Sequence, residues 1–288
     1  MRPDDWHLTA DVDDFLARAG DFLRSRPGLH TMALTTTEKL RTGGADVHGP
    51  GARVFGLLER AGEVGAAFYG LLTRGLSVTA LTPGQADTLA ARLVSLGHSF
   101  GYVSADRDSA AAFAGAWQRH TGAVPALRNR LLLYRLGTLT APGPVPPGRG
   151  RLVGERDSEQ LMGWCRAFAA DVGEAVTIDA ASWAGTRFAE KYYTFWETPD
   201  GTPVSMAGAN PMVGGQIRVD PVYTPAPLRG RGYAGAVTVE VSRAALAAGA
   251  EEVVLFTNPA NATSNALYRR IGYVPLTEWA VHDFARAA

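Results

Sequence analysis

The sequence has a single cysteine, Cys165, among 288 residues. That excludes an intrachain disulfide and any zinc or iron–sulfur site built on several thiolates. Lysine is almost as scarce: 26 of the 28 basic residues are arginine, and only Lys39 and Lys191 are lysine. Much of that bias, with the abundant Ala and Gly, fits a GC-rich coding preference. Net charge is also lacking, since Lys+Arg and Asp+Glu are both 28. A neutral chain argues against phosphate-neutralising nucleic-acid binding and against adhesion to anionic membranes. No apolar run approaches the length of a membrane span; Val64–Leu72 is half that and broken by Gly. The first residues, Met-Arg-Pro-Asp-Asp-Trp, carry no apolar core of a signal peptide. The six His show no paired metal-ligand spacing, so no metal is expected. These absences lead us to expect a soluble, cytoplasmic protein.

What is present is enough apolar residue, 46%, to bury real cores. The length suggests two domains. The sharpest punctuation is Ala141-Pro-Gly-Pro-Val-Pro-Pro-Gly-Arg-Gly150, which neither a helix nor a central strand tolerates. It reads as a linker over 141–150, between domains at 1–140 and 151–288.

Apolar periodicity fills in each half. In the first, helices are expected around Val12–Leu23 and His30–Arg41. Strands follow at Arg53–Leu58, Val64–Leu71 and Ser77–Leu81, then a helix after Thr82-Pro-Gly. A strand at Phe100–Val103, a helix at Ser109–Thr121 and a strand at Arg128–Leu136 complete it. In the second, the expected order is a strand at Arg151–Val153, a helix with Leu161, Trp164, Cys165 and Phe168 on one stripe, and a hairpin, Tyr192–Glu197 with Val204–Asn210. A strand at Gln216–Thr224, a helix, a strand at Val253–Thr257, a helix at Ala262–Ile271 and a strand at Tyr273–Phe284 follow. Both halves read helices, strands, helix, strand, helix, strand. The plan is one α+β design written twice.

The chemistry concentrates in Leu228-Arg-Gly-Arg-Gly-Tyr-Ala-Gly235. Gly230, Gly232 and Gly235 match GxGxxG. A dinucleotide fingerprint needs those glycines directly off a strand and an acid at the end of the next strand. Here Thr224-Pro-Ala-Pro-Leu-Arg intervenes, and Glu251 and Glu252 precede the next strand. There is no GK[ST], so a P-loop is excluded. Glycines opening a helix instead let several N–H groups approach one oxyanion, and Arg229 and Arg231 add charge. This is a pyrophosphate cradle.

Arg229-x-x-Gly232-x-Ala234 resembles the [QR]-x-x-G-x-[GA] signature of the GCN5-related N-acetyltransferases. Val222-Tyr-Thr-Pro225 looks like that family's strand end, whose backbone pairs with the pantetheine arm. Asn258-Pro-Ala-Asn-Ala-Thr-Ser-Asn-Ala-Leu-Tyr-Arg-Arg-Ile-Gly-Tyr273 is similar to its second segment. The resemblance implies two domains of that fold, each a central, mostly antiparallel mixed sheet flanked by helices. It implies acetyl-CoA as acyl donor, held by Val222, Tyr223, Thr224, Arg229, Gly230, Arg231, Gly232, Tyr233, Ala234, Asn258, Asn261 and Asn265. It implies acetyl transfer to the primary amine of a small molecule.

Asn261, Asn265 and Tyr268 share one face of the last helix. Asn261 is equally suited to capping that helix, and Tyr268 to a core position. In the family a tyrosine here lies near the thioester sulfur. A phenol of pKa about 10 protonating a thiolate of conjugate pKa about 8.5 runs uphill by roughly 2 kcal/mol, so hydrogen bonding to the thiolate is the better role for Tyr268. Asp220 is the first candidate base, with Glu174, Asp171, His282 or a water chain as alternatives. The family's acceptor region maps to Phe168, Asp171, Glu174, Trp183 and Trp196, a lining suited to an amine with an apolar body. The first half has Thr82-Pro-Gly-Gln-Ala-Asp-Thr88 where the cradle would stand, and so is expected to bind no acetyl-CoA. With Lys39 and Lys191 both read as remote from the site, direct attack of the amine on the thioester is expected rather than a lysine acyl-enzyme. A module that binds acyl-CoA without turnover, as sensor or scaffold, is the competing reading.

Overall fold

The computed structural model describes residues 5–43, 53–72 and 74–285. Met1–Asp4, part of the stretch that argued against a leader, lie outside the described residues. The chain divides into two compact units. Unit 1 comprises Met1–Leu133 with Leu276–Ala288, and unit 2 comprises Tyr134–Pro275.

Unit 1 runs β1 (Trp6–Thr9), α1 (Val12–Arg24), α2 (Thr31–Thr42), β2 (Arg53–Arg60), β3 (Glu63–Leu71), β4 (Gly75–Val78), α3 (Pro83–Ser95), β5 (Tyr102–Asp106) and α4 (Arg107–Thr121). β1, β2, β3 and β4 pair antiparallel in that order, and β4 pairs β5 in parallel. The helices form where the sequence supplies both an apolar face and a start signal. Asp11 caps α1 by accepting from the N–H groups of Asp13 and Asp14, and Phe15, Ala19 and Leu23 bury its inner face. α3 opens on a full capping box between Thr82 and Gln85, with Pro83 at its first position. The core gathers Trp6, Phe68, Leu76, Leu89, Phe113 and Trp117 between sheet and helices.

Unit 2 repeats the pairing. After β6 (Val124–Leu136), of which only the end belongs to this unit, come β7 (Arg149–Leu152), α5 (Ser158–Asp171), β8 (Tyr192–Glu197), β9 (Pro203–Ala209), β10 (Gln216–Tyr223), α6 (Tyr233–Ala247), β11 (Glu252–Thr257) and α7 (Ala262–Arg270). β7, β8, β9 and β10 pair antiparallel, and β10 pairs β11 in parallel. The same succession of three antiparallel pairs and one parallel pair in both units bears out the α+β fold and its duplication. Trp164, Cys165, Phe188, Tyr193, Phe195 and Met206 form the core against α5. Burial pushes the Cys165 thiol up to about 11, so it is an inert packing group.

Three features depart from the sequence reading. First, β1 is a four-residue strand that periodicity did not reveal; Trp6, wholly buried, anchors it. Second, the closing strand β12 (Tyr273–Ala285) gives most of its length to unit 1. It pairs antiparallel with β5, from Trp279↔Asp106 to Asp283↔Tyr102, and Trp279 Nε1 donates to Ser104 Oγ at 2.8 Å. The linear division at 1–140 and 151–288 therefore differs from the compact units, because most of β12 pairs with the free edge of β5. Third, 141–150 is packed chain within unit 2. Trp196 Nε1 donates to the Pro147 carbonyl at 3.4 Å, and a Cβ at Gly232 or Gly235 would touch Pro146 or Pro142. Among the described residues, no helix is long and apolar enough to cross a membrane.

Candidate functional site

The site of unit 2 begins where β10 and β11 part. They are paired at Gln216↔Glu252, Ile217↔Val253 and Arg218↔Val254, and no further. Beyond that point Val219–Tyr223 pairs with β9 alone, so the edge of β10 toward β11 keeps its backbone groups open. The β9 side is irregular too: Val219 faces Ala209 and Val222 faces Ala207, so Asp220 and Pro221 together oppose Gly208. Glycine is required at 208, since a Cβ there would sit 2.8 Å from the Asp220 carbonyl. Val222, Tyr223 and Thr224 lie along this edge. Thr224 Oγ1 and Ser205 Oγ are 2.8 Å apart, which fixes the strand end.

The chain then turns through Ala226–Leu228 into the glycine loop. Gly230 (φ +79°) and Gly232 (φ +84°) occupy the left-handed region that L side chains rarely adopt. Gly232 stands at the N-cap of α6, where no side chain can accept from the first turn. No protein acceptor among the described residues meets the N–H groups of Gly230, Arg231, Gly232, Tyr233, Ala234 and Gly235. Six unmatched donors at a helix N-terminus have the chemistry to meet an anion. Gly235 is small for another reason: a Cβ would stand 2.9 Å from Leu267, so α6 and α7 approach closely here.

The two arginines of the loop divide the work. Arg229 is built into the scaffold. Its Nε donates to the Thr224 carbonyl at 2.9 Å, another nitrogen meets Asp171 at 2.5 Å, and its guanidinium lies 5.9 Å from the Tyr223 ring centre. Arg231 is exposed, with one contact to the Pro227 carbonyl at 3.3 Å. Arg231 is thus held by one backbone contact and Arg229 by a carbonyl, a carboxylate and a ring.

On α7, Asn261 caps the helix by accepting from the Ser264 N–H at 3.0 Å. Asn258 closes the preceding turn by accepting from the Ala260 N–H at 2.8 Å. Asn265 is buried; it donates to the carbonyls of Asn258 and Asn261 and accepts from the Tyr134 hydroxyl at 3.1 Å. The three asparagines thus lock the turn that leads into α7. Tyr268, one helical turn on, is buried between Tyr134 and Tyr273, with ring centres 6.4 and 6.1 Å away. Its hydroxyl makes no hydrogen bond among the described residues. Burial raises its pKa above the ordinary phenol value, and the charges of Tyr273 and Asp220 add to the shift. Tyr268 and Asp220 therefore lie within electrostatic reach of each other.

Asp220 sits in an ion network that the sequence did not suggest. Arg187 meets its carboxylate at 2.5 Å, and the Lys191 ammonium touches it as well and donates to its carbonyl at 3.0 Å. The pull of Lys191 and Arg187 outweighs burial and holds the Asp220 carboxyl far below the usual carboxylate range. Its proton affinity is accordingly small. Lys191, read from the sequence as remote from the site, is in fact at its edge: the antiparallel register carries the start of β8 to the end of β9, beside the β10 bulge. No spacing signal connects residues 187, 191 and 220; only the sheet register joins them.

The expected acceptor residues are also spoken for. Asp171 pairs with Arg229, and Glu174 holds Arg187 through both oxygens, at 2.9 and 2.7 Å. Phe168 and Phe188 receive the Arg187 guanidinium at 5.7 and 4.3 Å from their ring centres. The aromatic and acidic lining foreseen for a cationic ligand is thus occupied by the protein's own arginine. Trp183 is half-buried in a single helical turn, Trp183–Gly185, against the core. Trp196 is buried at the 141–150 strap. His282 falls on the part of β12 that belongs to unit 1, opposite Val103. No group of His, Cys, Asp and Glu among the described residues is arranged to hold a metal ion.

Residues 215–280, from the start of β10 into β12, match the FR47-like protein family model. A GCN5-related N-acetyltransferase from Sphaerobacter thermophilus is 19% identical, with 100% of this chain and 98% of that chain covered and a TM-score of 0.59. A tandem GNAT protein from the clavulanic acid biosynthesis pathway is 15% identical, covers 98% and 99%, and has a TM-score of 0.57. An acetyltransferase of the GNAT family from Colwellia psychrerythraea is 9% identical, with the same coverage and TM-score. The comparison with curated proteins finds no match. The fold is that of the GCN5-related N-acetyltransferases, and the resemblance read from the sequence holds at that level. The segment bearing the open strand edge, the glycine loop and α7 is the one that matches the FR47-like protein family model.

Proposed function

We propose that unit 2 is an acyltransferase domain that binds acetyl-CoA and moves its acetyl group to the primary amine of a small molecule by direct attack. One observation carries the reading: an open strand edge, Val219–Tyr223, is followed, after the turn through Ala226–Leu228, by six N–H donors at Gly230–Gly235 that are unmatched among the described residues. An extended amide-bearing arm suits the edge, and a pyrophosphate suits the helix start. In this reading Val222, Tyr223 and Thr224 pair with the arm, and the loop from Arg229 through Ala234, with Arg231, holds the pyrophosphate. Asn258, Asn261 and Asn265 shape the turn beside it.

Three chemical needs remain. The amine must be neutral, the developing oxyanion needs donors, and the departing thiolate needs a proton or hydrogen bond. Tyr268 supports the last role. Its raised pKa keeps the phenol protonated, and its hydroxyl is uncommitted, so it donates a hydrogen bond to the thiolate without surrendering the proton early. Asp220 enters as the anion that orders Lys191 and Arg187, with proton removal left to water. Phe168, Trp183 and the Glu174–Arg187 pair form the acceptor side; Asp171 acts through Arg229. The test is a screen of small primary amines for acetyl-CoA-dependent thiol release. Turnover that Tyr268→Phe suppresses, with acetyl-CoA affinity retained, supports the reading.

The competing reading, a module that binds acyl-CoA without turnover, draws on one observation: Asp171, Glu174 and Asp220 are all ion-paired, and none is poised as a base. It gains if acetyl-CoA binds tightly while no amine in the screen releases thiol.

A further inference from the structure

Unit 1 has no anion cradle, yet it contains a cavity of about 310 Å³ on the face of its sheet that α1 and α2 cover. The sheet register assembles that face. Phe55 of β2 lies opposite Tyr69 of β3, Tyr69 opposite Ser77 of β4, and Ser77 beside Ser104 of β5, so the four side chains form one row. Phe15 of α1 stacks on Phe55 with ring centres 5.2 Å apart, which puts the row under the helices. Trp279 of β12 reaches the same row, where its Nε1 donates to Ser104 Oγ at 2.8 Å. Phe15, Tyr69, Ser77 and Trp279 line the cavity, and His30 and Ala33 close it from the start of α2.

Three polar side chains in the lining are more than nine-tenths buried and keep unspent hydrogen-bonding capacity. Ser77, 8% exposed, has a hydroxyl with no partner among the described residues. Thr79, 7% exposed, accepts from the Ala67 N–H at 2.9 Å, and its own O–H donates to no described residue. His30, also 7% exposed, directs Nδ1 at the Leu23 carbonyl at 3.0 Å, so that nitrogen carries the proton and Nε2 is a bare acceptor. Burial lowers the pKa of His30, which keeps the ring neutral. The charged residues of the lining are less enclosed: Arg26 is exposed, and Asp106 is half-buried with one oxygen on the Ser109 N–H at 3.1 Å. Buried polar groups without partners are costly, and several lining one cavity with apolar walls mark a ligand site. All three enclosed groups are uncharged, so the ligand they suit is uncharged. A hydroxyl meets both of their needs, since it donates to an imidazole nitrogen and accepts from serine or threonine. The rings of Phe15, Tyr69 and Trp279 suit a flat body. An apolar cavity of roughly 150 Å³ holds benzene, so the larger volume here has room for a ring with a short chain. We infer that unit 1 binds a small uncharged aromatic molecule bearing a hydroxyl, independently of acyl transfer in unit 2.

The experiment is calorimetric titration of the full-length protein at pH 7 with 4-propylphenol. Two controls accompany it: 4-propylanisole, whose hydroxyl is methylated, and 4-propylbenzoate, which is charged. Saturable binding of 4-propylphenol at one equivalent per chain is expected, with both controls weaker by about tenfold or more. Ser77→Ala removes a buried hydroxyl that has no partner among the described residues, so the melting temperature should not fall, while affinity for the phenol should drop about fivefold. Arg231→Ala in the unit 2 loop should leave that affinity intact. The inference is overturned if 4-propylphenol fails to saturate, if its affinity survives Ser77→Ala, if Arg231→Ala lowers it as much as Ser77→Ala does, or if either control binds as tightly as the phenol.

Discussion

The two units place a helix after the same strand of the same sheet, and the two helices begin in opposite ways. α3 follows β4 after four residues and is sealed. Thr82 accepts from the Gln85 N–H, the Gln85 side chain accepts from the Thr82 N–H, and Pro83 contributes no N–H at all. α6 follows β10 after a nine-residue loop and is open. Glycine at the cap offers no acceptor, and six N–H groups remain unmatched. The fold is indifferent to which ending it receives, since both sheets and cores are complete. The proposed functional difference between the units rests on a few residues at one helix start. A sealed helix gains stability from its cap; an open one leaves its donors for a ligand.

The strongest way to break the comparison is at Tyr268, for which unit 1 has no counterpart. Tyr268→Phe removes one hydroxyl that has no hydrogen-bond partner among the described residues, so the fold should be undisturbed. In the proposed reaction kcat should fall about 10²–10⁴-fold with acetyl-CoA affinity almost unchanged. Steady-state kinetics beside equilibrium binding separates the two quantities. Unchanged kcat would remove Tyr268 from the chemistry and leave the two units differing in binding alone.

The next effect is on stability. Asp220 balances Lys191 and Arg187, and Asp220→Asn leaves two cations facing each other over a neutral amide. With the side chain still a quarter exposed, a loss of about 1–3 kcal/mol is expected. The sign of its pH dependence follows from the depressed pKa. The stabilisation is present above the unfolded carboxylate value, near pH 4, and is lost as pH falls toward the lower folded value. Denaturant titrations from pH 7 to pH 2 should show the wild-type protein and Asp220→Asn converging in acid. Parallel curves would mean that another carboxylate carries the acid sensitivity.

Much of this was legible in the sequence. The strand and helix order apart from β1, the two glycines at positive φ and the asparagine cap of α7 follow from local chemistry, which periodicity and turn residues report directly. Three things were not. The Arg187–Asp220–Lys191 network depends on sheet register, which brings residues 33 and 29 positions apart into contact. The Arg229–Asp171 pair spans 58 positions. The passage of β12 into unit 1 depends on which edge lacks a partner, and its own alternation is the same in either unit. Chemistry carried by one segment was readable; chemistry assembled from several was not.

A smaller perturbation acts on the open helix itself. Gly232→Ala introduces a Cβ that meets only Pro146, at ordinary van der Waals distance, so its cost is the left-handed backbone, about 1–2 kcal/mol. If the chain relieves that strain by rotating the peptide, a donor turns away from the cradle. Acetyl-CoA affinity should then fall by about tenfold, measurable by calorimetry, while Tyr268 chemistry at saturating donor is retained. A loss of stability with unchanged affinity would show that the cradle does not depend on this cap.

The smallest expected effect is at the sealed helix, and it is the one that tests whether sealing is what distinguishes unit 1. Thr82→Ala deletes one side of the capping box, and the Gln85 N–H loses its acceptor. The cost should be about 1 kcal/mol, read from chemical denaturation. The donors so exposed are few, because Pro83 has no N–H, and no arginine stands beside them as Arg231 stands beside Gly232. Labelled acetyl-CoA should therefore still bind at one equivalent per chain in Thr82→Ala. A second equivalent would show that the cap alone had kept the donor out, and that charge and loop length count for less than the closing of one backbone N–H.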